Sequence, residues 1–355
     1  MFSSLPFGFM FFIVMFFGTV FSLSSPHWLG IWAGLEINLI GFLPILVYQK
    51  NMLESESAVK YFIIQAMGSS FLIFGSLFGY SLTFSWESLS FVFTSGLVGS
   101  IFLGLGLLLK MGVFPFHFWF PSVMAGLSWF SCLLLATWQK VAPTFLMLVV
   151  LDAGLVYGLF LLFCLLGAGS SIIGGIGGLN QTQIRALLAY SSIGHMGWIL
   201  FAGCYSESGM KIYFSIYVVI SICIFLSLWV LDSGSLINVA SVGKSDSKAT
   251  FSFMVMLLSL GGLPPMLGFI SKWTVISGSV TASPWGLLFL LVFGSLMSLF
   301  YYLSLFFSEV LSLKVKLLGS FTLDSWEMNG YVSFAILINL LGGALLMLFL
   351  PFMFL

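Results

Sequence analysis

The chain is a succession of apolar runs, each about 20 residues long, divided by short polar stretches. "FMFFIVMFFGTVFSL" (9–23) and "LLFLLVFGSLMSLFYYLSLFF" (287–307) show the pattern. No other feature restricts the fold as strongly. A run of that length spans the hydrocarbon core of a bilayer when helical. Inside lipid every backbone N–H and C=O must be satisfied within the protein, which makes the helix the expected spanning element. The composition agrees, with 60% apolar and 6% charged residues and a mean hydropathy of +1.17. A soluble domain carries about 25% charged residues. The predicted fold is therefore all-α, a polytopic transmembrane helix bundle.

About eleven spans can be drawn by length and apolarity, at 5–24, 28–48, 57–81, 90–114, 122–149, 153–176, 183–204, 211–231, 250–282, 285–307 and 330–352. The ninth is too long for one straight crossing and contains "GGLPPMLGF", so it is expected to be a broken helix. The two long polar connections are 232–250 and 308–329. The first residues lack a basic region and a small-residue cleavage site and are expected to form the first span rather than a removable leader. The whole chain, 1–355, reads as one membrane domain.

Charge excludes several partners. Lysine and arginine total 11 and aspartate and glutamate 11, so a nucleic-acid partner or a polybasic anchor is not expected. Cys132, Cys164, Cys204 and Cys223 are widely separated, and three histidines show no ligand spacing, so neither a metal centre nor a bound haem or iron–sulfur cluster is expected. Basic residues mark orientation: Lys50, Lys244, Lys248, Lys314 and Lys316 fall in connections after even-numbered spans, with Arg185 at the start of span seven, and Lys211 on the opposite side. The positive-inside rule puts the basic side, with the N-terminus, in the cytoplasm or a mitochondrial matrix.

Other charges fall inside spans. Glu36 is near the middle of span two, Lys60 one turn into span three, Lys110 in span four, Lys140 deep in span five and Lys272 just past the break in span nine. A charge at the centre of a membrane helix costs about 2.5–3.5 kcal/mol on insertion scales. Glu36, Lys110, Lys140 and Lys272 together cost on the order of 10 kcal/mol, comparable with the stability of a whole domain. Mutual pairing or water must offset this, and an ion pair or water-bridged pair of Glu36 with Lys110 is the simplest arrangement. Lys60 and Lys110 could instead extend to the interface along their stems. His117 and His195 could be hydrogen-bonded core or interfacial histidines. Pro115, Pro143 and the pair Pro264–Pro265 lie beside the buried lysines. Broken helices next to buried charge typify transporter binding sites. The glycine-rich "GAGSSIIGGIGG" (167–178) follows no strand and reads as a close helix contact.

These motifs carry a resemblance. "GLEINLIGFLPIL", "ESAVKYFIIQA", "LLLKMGVFPFHFWFP", "TWQKVAP", "GGLNQTQIRALLAYSSIGHMGW" and "GGLPPMLGFISKW" run in order through most of the chain. Together they resemble the subunit 2 family of NADH–ubiquinone oxidoreductase, the mitochondrially encoded, antiporter-like membrane subunits of respiratory complex I. The resemblance implies a proton-pumping module of two inverted five-helix repeats, here about 1–150 and 151–307, each with a broken helix, plus an extra C-terminal helix at 330–352. It implies a proton path through Glu36, Lys110, Lys140 and Lys272, with Lys60 near the first pair and His117 after the first broken helix. It also implies multi-pass insertion in the mitochondrial inner membrane with a matrix N-terminus. Partners would be other membrane-arm and accessory subunits, the bilayer and bound phospholipid. No cofactor is expected on this chain, while the whole complex would use NADH, FMN, iron–sulfur clusters and ubiquinone. Rival readings are a subunit of a multisubunit cation/proton antiporter, a scaffold with a dead channel, and a quinone-binding redox subunit.

Overall fold

A computed structural model of the chain describes residues 8–48, 51–83, 97–152, 157–231, 247–280, 285–319, 337 and 339–344. Every regular element of three residues or more among the described residues is a helix. In chain order they are α1 (Gly8–Ser24), α2 (Trp28–Leu46), α3 (Met52–Thr83), α4 (Leu97–Met111), α5 (Trp119–Gly126), α6 (Trp129–Ala136), α7 (Trp138–Asp152), α8 (Tyr157–Leu179), α9 (Ile184–Tyr205), α10 (Glu207–Leu231), α11 (Ser247–Gly261), α12 (Leu267–Val280) and α13 (Trp285–Gly319). Among them, seven segments are long and apolar enough to cross a membrane. Shorter apolar helices match span one and the halves of broken spans. Most of the expected helix at 330–352 and the connection 232–246 lie outside the described residues.

The chain forms two compact units, Met1–Ser170 and Ser171–Leu355, with the division inside α8. The first unit is assembled by glycines. Without a hydrophobic force between helices in lipid, small residues let backbones approach and gain dispersion contacts. A methyl at Gly18 would come within 2.5 Å of the Asn38 nitrogen, and one at Gly41 within 2.6 Å of the Met15 nitrogen, so α1 and α2 touch along their backbones. Gly75 and Gly106 do the same between α3 and α4. In the second unit Gly174 meets the backbone of Gly194, joining α8 to α9, and Gly175 meets Gly294, joining α8 to α13. The glycine-rich stretch is thus a helix–helix contact, as its composition suggests.

Both broken helices are present, and they share one local construction. At the end of α4, Gly112 (φ +71°) turns left-handed, its N–H bonds to the Leu109 carbonyl at 3.2 Å and the Val113 N–H to Leu108 at 3.2 Å. At the end of α11, Gly262 (φ +79°) bonds to Ser259 at 3.0 Å and Leu263 to Leu258 at 3.4 Å. Each is a Schellman cap, and glycine alone adopts that φ without strain. Each is followed by a cis X–Pro bond, Phe114–Pro115 and Pro264–Pro265, and by a turn bond, Phe116 to Val113 (2.8 Å) and Met266 to Leu263 (2.9 Å). The two sequences, "MGVFPF" and "GGLPPM", share little beyond glycine and proline.

Three boundaries differ from the sequence reading. Span five does not run from 122 to 149: α5 ends at Gly126, and a new helix starts at Trp129 and is interrupted at Thr137. Pro143 withholds the N–H that would bond the Gln139 carbonyl, and the ladder weakens one turn upstream. Second, 308–319 is not a loop, because α13 continues to Gly319 through a stretch with no glycine or proline, carrying Lys314 and Lys316 on helix. Third, α3 is 32 residues long, about 48 Å at 1.5 Å per residue, against a hydrocarbon core of about 30 Å. One end must therefore emerge from the core.

The second break is closed tightly. A methyl on Gly268 would lie 1.7 Å from the Ser259 carbonyl oxygen, whereas one on Gly158 meets nothing within 4 Å. Gly268→Ala is expected to lower the amount of assembled protein severalfold on native gels, and Gly158→Ala to leave it at the wild-type level.

Candidate functional site

In the first unit the break after α4 leaves carbonyls that a continuing helix would have bonded. The Trp119 indole N–H, from the first turn of α5, donates to the Leu109 carbonyl at 3.2 Å. This holds the chain's reversal beside Lys110, which is 6% exposed. The lysine stem lies across α3, with Cγ 3.0 Å from where a Gly68 methyl would sit. Gly68 is thus the room into which Lys110 is laid.

Glu36, on α2, stands within electrostatic reach of both Lys110 and the Tyr61 hydroxyl. Of the two arrangements expected, the direct ion pair is not formed: among the described residues neither Glu36 nor Lys110 takes part in an ion pair at 4.0 Å or less. The Glu36 Oε1 is buried with no protein hydrogen-bond partner. The reason is geometric: Lys110 is drawn along α3 by its packing on Gly68, while Glu36 leaves from α2.

Lys140 is 2% exposed, with its ammonium 4.2 Å from the centre of the Phe120 ring. Such a contact replaces part of the lost hydration when desolvated. Phe120 meets Trp119 edge to face at 5.4 Å. The aromatic pair therefore joins the capped end of α4, at the Leu109 carbonyl, to the lysine on α7. His117 is 4% exposed, packed 4.0 Å from the Phe118 ring, with its Nδ1 buried and unpartnered by protein.

Lys60 is placed apart from these. Its side chain is 46% exposed and bonds Glu56 one turn earlier at 2.5 Å. It lies in the polar opening turns of the overlong α3, the reading in which its stem reaches the interface. The pair is exposed and screened by water, so it adds little to stability.

Several polar residues were not among the sequence candidates. Asn38 on α2 and Gln139 on α7 exchange two side-chain hydrogen bonds, Asn38 Nδ2 to Gln139 Oε1 at 2.9 Å and Gln139 Nε2 to Asn38 Oδ1 at 3.2 Å. The Tyr61 hydroxyl donates to the same Gln139 oxygen at 3.3 Å. Interhelical bonds of this kind in a membrane average about 0.6 kcal/mol, so three contribute about 2 kcal/mol. The signal was available: an amide inside an apolar span must find a partner.

The second unit holds Lys272, half-buried, whose ammonium donates to the Gly261 carbonyl at the end of α11 at 2.8 Å. Its stem also covers Gly262, with Cδ 3.0 Å from a would-be methyl. A cavity is lined by Lys272, His195, Ser191, Ser298 and Tyr301. His195 Nδ1 shares a hydrogen bond of 2.9 Å with the Tyr213 hydroxyl, the hydrogen-bonded core histidine that the sequence allowed. Asn339 was also missed. It is 1% exposed and accepts the Leu267 N–H at 3.3 Å, capping the start of α12.

A polytopic helix bundle with two Schellman-capped breaks, each beside a lysine at membrane depth, defines an antiporter-like ion-translocating membrane protein. Comparisons with known proteins narrow this. Residues 25–298 match the family described as NADH:quinone oxidoreductase/Mrp antiporter, TM. NADH-ubiquinone oxidoreductase chain 2 of Anopheles gambiae is 40% identical over 299 residues, 84% of each chain, and that of Branchiostoma floridae 36% identical over 335 residues, 94% of each. A chain of respiratory complex I from Thermus thermophilus superposes with a TM-score of 0.80 at 26% identity, covering 97% of this chain and 79% of that one. A chain of an archaeal membrane-bound sulfane sulfur reductase shares the fold, with a TM-score of 0.80 at 17% identity, over 96% of this chain and 73% of that one. The chain belongs to the NADH-ubiquinone oxidoreductase chain 2 family, within the NADH:quinone oxidoreductase/Mrp antiporter membrane family.

Trp119→Phe keeps the ring packing and removes the donor to the Leu109 carbonyl. The Leu109 carbonyl keeps its cap bond from the Gly112 N–H, so the loss is that of one hydrogen bond, about 0.5–1.5 kcal/mol. The expected result is a lower thermal denaturation midpoint with the helix content unchanged, measured by circular dichroism in detergent.

Proposed function

We propose that this chain is a proton-translocating membrane subunit of respiratory NADH:ubiquinone oxidoreductase, driven by quinone reduction elsewhere in the complex and carrying no redox centre of its own. The observation that supports it most is the set of lysines at membrane depth, each beside a helix break. A buried charge there is tolerated while an opposite charge or water compensates it, so displacing the compensating group displaces a proton. In the first unit Glu36 and Lys110 form the loading pair, bridged by water rather than in direct contact. Lys140 takes the proton on, with His117 as an accessory group at the break. In the second unit Lys272, held over the end of α11, serves the exit step. Lys60, clamped by Glu56 on an exposed face, tunes the loading pair through its field and does not carry the proton. The local likeness of the two breaks supports two related five-helix repeats.

The surrounding assignments follow the same reading. The protein lies in the mitochondrial inner membrane with its N-terminus and the 232–250 connection on the matrix side. Its partners are other membrane-arm and accessory subunits and the lipids between them. NADH, FMN, iron–sulfur clusters and ubiquinone are used elsewhere in the complex.

Two results test this. Lys140→Ala is expected to abolish proton translocation, and Lys60→Ala to reduce it by less than about tenfold, the effect of one unit of electrostatic tuning. Both are measured in the assembled complex in liposomes with NADH and a quinone. Wild-type pumping by the Lys140 variant, or pumping that requires added sodium, would sink the proposal. Separately, protease added to intact mitoplasts is expected to spare the 232–250 connection, and to cleave it once the inner membrane is opened.

A further inference from the structure

The ring of bonds among Asn38, Gln139 and Tyr61 has no place in the proton path as proposed, yet its residues adjoin two members of that path, Glu36 and Lys140. Asn38 lies two residues beyond Glu36 on α2, Gln139 is the residue before Lys140 on α7, and Tyr61 faces the Glu36 charge from α3. The amides are 4% and 8% exposed and the phenol 2%. Their two amide bonds and the phenol bond, 2.9, 3.2 and 3.3 Å, satisfy four amide atoms at a depth where none can turn to water.

The backbone around Lys140 lacks regular helical bonding on both sides. The helix is interrupted at Thr137, where Lys140 N–H bonds the Thr137 carbonyl at 3.2 Å in a tightened turn. Pro143 then deprives the Gln139 carbonyl of its helical donor. The turn that carries Lys140 is therefore slack on both sides. By contrast α2 is fixed, because Gly18 brings the α1 backbone directly against Asn38. A slack turn tied by paired amides to a fixed helix takes its register from that tie.

We propose that Asn38, Gln139 and Tyr61 form a clasp that sets the position of Lys140 relative to Glu36, making Gln139 and Asn38 positioning residues for proton transfer. The inference rests on the proton-path reading above. The reciprocal amide pair is the feature that a general structural bond would not need. It can be broken from either side and rebuilt in exchanged form, with the longer side chain on α2 and the shorter on α7.

The test uses the assembled complex in liposomes, with proton translocation normalised to the amount of complex. Gln139→Leu is expected to assemble, and to pump at least twofold more slowly than wild type. The exchange Asn38→Gln with Gln139→Asn is expected to recover most of that loss, which a simple packing role would not predict. If Gln139→Leu fails to assemble, Tyr61→Phe, which removes one hydroxyl, replaces it with the same expected slowing. The clasp is overturned if the assembled variant pumps like wild type, or if the exchange pair pumps no better than Gln139→Leu or, in its place, Tyr61→Phe. Lys140→Ala is measured beside them: if it pumps normally the underlying proton-path reading has failed, and if it is inactive while Gln139→Leu is normal, only the clasp has.

Discussion

A backbone carbonyl with no donor is the constraint on which this structure turns. In lipid it has no water to fall back on, so a helix can be broken only where the protein supplies a replacement. At the end of α4 the replacements are a glycine-dependent cap and the Trp119 indole. At the end of α11 they are the same cap and the Lys272 ammonium, while at the start of the following helix Asn339 accepts the Leu267 N–H, which has no helical acceptor. Each break therefore draws polar groups to membrane depth. Once those groups are there, a lysine can be there too, since its ammonium can bond the carbonyls or share the polar space that the break opens. The lysines and the breaks occur together for a single physical reason.

The membrane charges divide by how they are compensated. Lys60 and Lys211 each bind a glutamate one turn earlier on an exposed face, which any amphipathic helix end could do. Lys110, Lys140 and Lys272 are compensated by more unusual means: a distant carboxylate, an aromatic face and a cap carbonyl. Among the described residues neither Lys110 nor Lys272 is locked in an ion pair. A locked pair would be more stable and less able to exchange a proton, since breaking a desolvated pair leaves a buried charge exposed to the full cost of its desolvation. The loose compensation around Glu36 and Lys110 fits a site that must change its charge as it works.

Much of this could be read before any coordinates. Helices were legible from the length of the apolar runs, the ninth-span break from Pro264–Pro265, and the need to compensate Glu36, Lys110, Lys140 and Lys272 from the cost of their charges. The break at Thr137 was not legible, because no glycine or proline stands there and Pro143 acts one turn upstream. The extension of α13 was not legible, because lysines mark a loop and a helix leaving the bilayer equally well. Asn38, Gln139 and Asn339 were passed over because an amide carries no charge and so shows a weaker signal than a lysine in an apolar run.

By itself the amino-acid sequence determined that the chain lives in lipid, that it is helical, where two of its helices must break and which charges require compensation. These follow from local composition, since transfer and backbone costs are paid residue by residue. Only the tertiary structure decided what compensates each charge: that Lys110 lies on Gly68 rather than on Glu36, that Lys140 faces Phe120, and that Lys272 returns to Gly261. Those choices depend on which helix faces come together, and that is set by glycines whose only sequence signature is an absent side chain.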